Sequence, residues 1–321
     1  MWECQDVRHD PDHDPDHASA ADYRMRAQRR LPQSLFDFLE GGAFDEVTMR
    51  QNREDFHRIQ LRRRVLNSIS DPSTATEILG CKMALPLVLA PVGFAGVYAK
   101  RGEVQAARAA AKAGIPFSLS TVSICSVEEV AQHSPMPFWF QFYLFKDRGY
   151  SLELLNRAQA AGCPVLLLTV DLPVAGARHR YHRSRDRSVM RNMYDALLHM
   201  PWWLDVRVRG GPMTLGNIPS SAPRVSNLAC MRRWMGKQVD AHCTWNDLEW
   251  IRANWKGKIL IKGVLDAEDA IIAVNTGADG IVVSNHGGRH LDGIQSTINA
   301  LPSICEAVGG RFPIFLDGGN I

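Results

Sequence analysis

The sequence is short of several things that would settle its class at once. Its seven cysteines (Cys4, Cys81, Cys125, Cys163, Cys230, Cys243, Cys305) are odd in number and never spaced C-x-x-C. That argues against a disulfide framework or a zinc site and for reduced thiols. Excess charge is scarce: the formal net charge is +3, and aromatics are not interleaved with basic runs. Nucleic acid is therefore not an expected partner. No G-x-G-x-x-G follows the first apolar run, where "APVGFAG" stands instead. P-loop, nucleophile-elbow and H-E-x-x-H patterns are absent as well. The longest uncharged stretch, "MALPLVLAPVGFAGVYA", is broken by Pro and Gly and is short for a membrane span. The N-terminus lacks the apolar core of a secretory signal. Its acidic His-Asp-Pro repeats, within residues 1–20, read as a disordered tail, with metal binding as the alternative.

What is present is a rhythm. The chain has 321 residues, 45% hydrophobic and 22% charged, enough for one large soluble domain. Seven apolar runs recur: "LPLVLAP" (85–91), "IPFSLS" (115–120), "FWFQFY" (138–143), "PVLLLTV" (164–170), "ILIKGV" (259–264), "GIVVSN" (280–285) and "PIFLDGG" (313–319). Nearly continuous Val, Ile, Leu and Phe suit strands covered on both faces. Between the runs lie segments with helical spacing, such as "RGEVQAARAAAKAG", "SLELLNRAQAAG", "TWNDLEWIRANW" and "DAEDAIIAVNTGA". Ser151, Thr244 and Asp266 stand as capping residues at three starts. This alternation predicts parallel βαβ units. A (β/α)₈ TIM barrel is preferred over an open doubly wound sheet, although only seven strands are visible. Residues 172–243 form a long insertion after the fourth predicted strand.

In such a barrel the active site lies at the C-terminal ends of the strands. There the runs turn polar: Gln141 and Tyr143; Thr169, Asp171 and then Arg178; Lys262; Ser284, Asn285, His286 and then Arg289; Asp317, Gly318 and Gly319. A lone buried Lys could simply pair with a carboxylate, and a lone His could be an ordinary loop residue. Five polar strand ends on one rim argue for a site, because each buried polar group is costly unless used. His286 could act as a base, Asp171 could fix its tautomer, and Arg178 and Arg289 could grip a carboxylate. Lys262 could neutralise an anionic cofactor ring. Such parts suit proton or hydride removal next to a carboxylate, with an organic electron acceptor.

The motif "SNHGGRHLDG" closely resembles the signature of the FMN-dependent α-hydroxy acid dehydrogenases and oxidases, which usually has Gln where this chain has His290. "LPQSLFDFLEGGAFDE", "LAPVGFAG", "LSTVS", "FQFYLFKDRG", "LTVDLPVAGAR", "LIKGV" and "FLDGG" follow in family order, from about Asp22 to Gly319. "LGNI" and the 90–123 region look most like bacterial respiratory L-lactate dehydrogenases, with mandelate dehydrogenases next. The resemblance implies FMN as cofactor and oxidation of an L-2-hydroxy acid, lactate foremost, to the 2-oxo acid. By that resemblance His286 is the base, Asp171 its partner, and Tyr143 lies near the substrate hydroxyl. Arg289 and Arg178 hold the substrate carboxylate. Ala90, Pro91, Val92, Thr121, Gln141, Thr169, Lys262 and Ser284 contact the flavin, and Asp317, Gly318 and Gly319 begin the phosphate-binding segment.

Two departures stand out. Phe38 replaces a tyrosine that contacts the substrate carboxylate in the family; losing that donor costs about 1.5–3 kcal/mol. The family also continues past "DGG" through an eighth strand and two helices, so the resemblance implies an incomplete barrel in residues 21–321. The other readings are a non-catalytic remnant, an enzyme for mandelate or another 2-hydroxy acid, and a phosphate-binding isomerase barrel. Electron acceptors compatible with the site are quinone, cytochrome and oxygen. The respiratory relatives associate with the inner face of the membrane, so "MPWWLDVRVR" (200–209) suggests a peripheral contact, unless Trp202 and Trp203 merely pack over the barrel mouth. A cytoplasmic location, and a homo-oligomer where the barrel is complete, are also implied.

Overall fold

Six of the seven apolar runs form one parallel sheet in the computed structural model. It describes residues 19–66, 71–172, 174, 176–186, 189–219, 222 and 228–318. The tail expected over residues 1–20 lies outside this set except for its last two positions, where Ser19 caps the first helix. The sheet strands are β3 (Ser118–Ser120), β4 (Trp139–Phe142), β5 (Val165–Thr169), β6 (Lys258–Val264), β7 (Gly280–Val283) and β8 (Ile314–Leu316), neighbours in that order. They follow a small antiparallel hairpin of β1 (Thr76–Ile78) and β2 (Cys81–Met83).

Helices α1 (Ala20–Arg30), α2 (Gln33–Glu40) and α3 (Val47–His57) precede the hairpin, and α4 (Ala95–Tyr98) and α5 (Gly102–Lys112) follow it. Helices α6 (Val127–His133) and α7 (Arg148–Ala160) follow β3 and β4. The insertion after β5 carries α8 (His179–Arg185), α9 (Val189–Leu198), α10 (Met200–Trp203), a π-helical turn at Leu204–Val208, and α11 (Leu228–Gln238). Helices α12 (Trp245–Asn254), α13 (Ala267–Asn275) and α14 (Thr297–Val308) complete the alternation.

The run at 85–91 differs from expectation. Only Leu89 pairs, in a single parallel bridge to Phe117. Pro86 and Pro91 lack an N–H to donate, and Leu85 and Leu87 remain exposed. Among the described residues nothing pairs with the other side of this run or with the outer edge of β8, so the sheet is an open barrel wall. The β1–β2 hairpin was not expected. Its two-residue turn places Leu79 and Gly80 at φ 54° and 76°, the backbone twist that tight hairpins need. One capping assignment also moves. Asp147 caps α7, accepting from the Gly149 and Tyr150 amides. Ser151 is inside the helix, buried, and accepts from the Phe145 amide. Thr244 and Asp266 cap α12 and α13 as expected.

Parity along the strands places the site. Residues two apart share a face of a strand. Phe140, Leu166, Leu168, Ile259, Ile261, Ile281 and Val283 pack in the main core with residues of the surrounding helices. Trp139, Val165, Leu167, Leu260 and Val282 form the other cluster, with Phe315 against it. Two residues further along that second row stand Gln141, Thr169, Lys262, Ser284 and Asp317. The inner row thus starts apolar and ends polar at one rim.

Candidate active site

The polar ends are bonded into a continuous floor. Gln141 accepts from Ser120 Oγ (3.1 Å) and donates to Thr169 Oγ1 (3.0 Å). Thr121 is fully buried, its hydroxyl donating to the Gln141 carbonyl at 2.6 Å. Lys262, 5% exposed, donates to Ser284 Oγ at 2.6 Å and to Asp317 Oδ2. Pairing with a carboxylate makes a buried ammonium tolerable. The other Asp317 oxygen, Oδ1, is buried with no hydrogen-bond partner among the described residues. It is an acceptor waiting for a donor.

Above this floor sits His286. Its Nδ1 lies 2.8 Å from Asp171 Oδ1. A carboxylate can only accept, so Nδ1 carries a proton, and in the neutral ring Nε2 holds the lone pair. Burial works against the charge on Asp171, but His286, through its hydrogen bond, and the Lys262 ammonium outweigh it and hold the carboxyl below the usual carboxylate range. Asp171 fits because Gly263 has no side chain: a Cβ there would lie 2.6 Å from Asp171 Cβ, and its φ is +115°. His286 itself is left-handed, φ 54°, followed by Gly287 and Gly288, both at 67°. Strain of this kind at a non-glycine residue costs about 1–3 kcal/mol and persists only where surroundings enforce it. Tyr143 is buried; desolvation and then the Asp171 charge push its phenol up, so it stays protonated. The His290 ring sits 4.1 Å from the His286 ring, and burial followed by the His286 charge brings its pKa down to about 2. It is uncharged at any working pH.

Two arginines converge on Phe38. The Arg178 guanidinium lies 4.8 Å from the Phe38 ring centre and that of Arg289 lies 6.0 Å from it. Arg289 donates from Nη1 to the Leu39 and Gly41 carbonyls and from Nη2 to the Phe38 carbonyl. These are the carbonyls at the end of α2, where a cation is favoured. Three of five donors are used, and Nε with one Nη2 hydrogen remains as a planar fork for an anion. The loop between α2 and α3 ties the two arginine segments together: Ala43 N donates to the Gly288 carbonyl and Phe44 N to the Ala177 carbonyl, each at 2.8 Å.

The remaining expected residues are placed as follows, one of them outside the described residues. Ala90, Pro91 and Val92 form a half-exposed loop just after the Leu89 bridge, beside Thr121 and Val122, with Phe94 N bonded to the Val122 carbonyl. Gly318 follows Asp317 at the end of β8. Gly319 lies outside the described residues. Of the two tryptophans in the insertion, Trp202 is buried and donates to the Val97 carbonyl at 2.9 Å, while Trp203 is 43% exposed. One group was missed altogether. Thr48, Asn52 and Asp55 are buried on α3, and Asn52 reaches both Asn285 and Gly318. The signal was a helix whose buried face, spaced i, i+4, i+7, is polar.

With this geometry in place, comparison with known proteins is consistent along the chain. The sequence profile of FMN-dependent dehydrogenases matches residues 27–320. L-lactate dehydrogenases of Vibrio parahaemolyticus and Caulobacter vibrioides are each 50% identical over 305 residues, covering 94% of this chain and 80% of the relative. Among solved structures, a monotopic membrane (S)-mandelate dehydrogenase superposes with a TM-score of 0.86 at 37% identity, covering 93% of this chain and 80% of that one. A mandelate oxidase with (S)-4-hydroxymandelic acid gives 0.79 at 35% identity, covering 94% and 80%.

Proposed function

Because the chain belongs to the family of FMN-dependent dehydrogenases, we propose that it oxidises an L-2-hydroxy acid, L-lactate foremost, to the 2-oxo acid. The observation that carries this reading is the His286–Asp171 pair beside two arginines that meet at Phe38, on the rim that also holds Lys262. The residues fit FMN. The orphaned Asp317 Oδ1 suits a ribityl hydroxyl, and Lys262 suits an electron-rich ring edge. Ala90, Pro91, Val92, Thr121, Gln141, Thr169 and Ser284 would line the ring, with Asp317, Gly318 and Gly319 leading to the phosphate. When bound, FMN supplies a two-electron acceptor.

The protein's own residues divide the remaining work. Arg289 and Arg178 clamp the substrate carboxylate and so fix carbon two. His286 Nε2 takes a proton from the substrate, and Asp171 steadies the imidazolium that results. Tyr143, held protonated, keeps a hydroxyl beside the substrate oxygen. In anaerobic solution, L-lactate is expected to bleach the flavin absorbance of the FMN-loaded chain. Bleaching by another L-2-hydroxy acid with none by lactate moves the substrate assignment and leaves the chemistry.

Phe38 sets the strength of the clamp. Its ring shields both guanidinium groups but offers no donor. The variant F38Y is expected to lower KM for the hydroxy acid about tenfold, the lower end of what one hydrogen bond to a charged group contributes. Steady-state kinetics check this, and an unchanged KM removes Phe38 from the substrate's surroundings.

The insertion supports a peripheral membrane seat on the inner face of the cell membrane. No helix among the described residues is long and apolar enough to cross a membrane. Met193, Leu197, Leu198, Trp203, Leu204 and Val208 are exposed on consecutive short helices, with Arg207 and Arg209 exposed beside them. Apolar side chains flanked by Arg suit an anionic lipid surface. A variant with Leu197, Trp203 and Leu204 all changed to Ser is expected to lose co-sedimentation with anionic vesicles while keeping its kinetics in solution. A quinone or cytochrome at the membrane, or oxygen, would serve as the final electron acceptor.

A further inference from the structure

The buried polar face of α3 has no part in the chemistry above, yet it touches two pieces of it. Asn52 is fully buried and Asn285 is 3% exposed. Their side chains form a reciprocal amide pair: Asn52 Nδ2 donates to Asn285 Oδ1 at 3.0 Å, and Asn285 Nδ2 to Asn52 Oδ1 at 2.7 Å. The second Asn52 donor goes to the Gly318 carbonyl at 2.6 Å, and its oxygen also accepts from the Thr297 amide at 3.4 Å. The second Asn285 donor goes to the Gln295 carbonyl at 3.3 Å, and its oxygen also accepts from the Gly288 amide at 3.2 Å. Each amide thus uses both donors and accepts twice, which is its full capacity. A saturated buried network specifies one arrangement, since any slip orphans several groups together.

That arrangement spans three segments. Asn285 holds the turn that forces His286 into its left-handed conformation. Gly318 is where β8 leaves the sheet, and a Cβ on Gly287 would lie 3.8 Å from the Gly318 carbonyl. Helix α3 closes over the same turn: a Cβ on Gly288 would lie 2.6 Å from Met49 N. One side chain, Asn52, therefore bonds both the base-bearing turn and the strand end proposed to lead to the cofactor phosphate.

We propose that Asn52 is a positioning residue that couples these two places, so that seating the phosphate end of FMN at 317–318 also fixes the turn carrying His286. This rests on the flavin reading above. An inexact β8 end would move the Gly318 carbonyl, loosen Asn52 from Asn285 and free the strained turn; an FMN-filled end does the reverse. Asn52 touches neither substrate nor cofactor, and its effect runs through Asn285 and Gly318.

The test is hydrogen exchange of the full chain during FMN titration. In the wild type, FMN is expected to protect peptides covering 284–290 and 314–318 with the same half-saturation. The variant N52D keeps the size and the Oδ1 acceptor but replaces the amide nitrogen with a second oxygen, so both donors are lost. In it, FMN is expected to protect 314–318 while leaving 284–290 close to the unliganded level. FMN affinity should fall about tenfold and kcat about 10–100-fold, with KM for L-lactate changed less than about twofold. Undiminished protection of 284–290 in N52D overturns the coupling. So does wild-type protection confined to 314–318, a result that needs no variant to fold and leaves the flavin reading standing. A wild-type chain that gains no protection anywhere from FMN removes both.

Discussion

Replacing His286 with Ala is expected to slow flavin reduction by about 10²–10⁴-fold, the usual contribution of a positioned general base, while FMN stays bound. The reason is that only Nε2 of this ring is free to take a proton. Nδ1 is committed to Asp171 at 2.8 Å, and the neighbouring His290, with its pKa brought down to about 2, remains neutral but is aligned on no carboxylate. Stopped-flow absorbance under anaerobic L-lactate measures the step directly. The sign of the pH dependence follows from Asp171. Its carboxyl is held below the usual carboxylate range, so the pair keeps its negative partner down to mildly acid pH, and loss of that charge begins only below the range where an ordinary aspartate titrates. Wild-type reduction rates in H286A remove the assignment of the base, whatever else the rim does.

The second large effect belongs to Arg289. Conversion to Lys keeps the charge and is nonetheless expected to lower kcat/KM for L-lactate about 100-fold. A guanidinium at this place does two things that an ammonium cannot do together. It ties off three carbonyls at the end of α2 and still presents a planar fork. Lysine has three donors in all, so satisfying the carbonyls leaves none for the substrate. The loss should sit mainly in KM, because the carboxylate is held in both ground state and transition state. A normal KM in R289K would place the substrate carboxylate elsewhere.

Much of this was readable beforehand, and the physical reasons differ by element. Strands β3 to β8 were legible because a strand buried on both faces must be apolar throughout. The rim was legible because the same rows then turn polar at their C-terminal ends, and a barrel has no structural use for that. The run at 85–91 was over-read. Its apolar residues look like a strand, but it holds two prolines and, among the described residues, makes one bridge. Asp147 was passed over in favour of Ser151 because both are good caps, and only the fold shows that Ser151 is needed inside, against the Phe145 amide. Asn52 was invisible for a stronger reason. A polar residue on a charged helix reads as solvated, and its burial is decided by partners at 285 and 318 that local sequence does not contain. The Phe38 substitution is plain in the sequence, but the two guanidinium groups near its ring belong to Arg178 and Arg289, far along the chain.

The docking of α3 has a consequence for how the molecule is made. Its partners are 233 and 266 positions further along the chain, so the helix can be completed only long after it has left the ribosome. Until they arrive its amides at Asn52 have only water to bond. The rim therefore assembles late and all together, and a nascent chain that stalls before residue 318 carries α3 without the partners that fix the turn at His286.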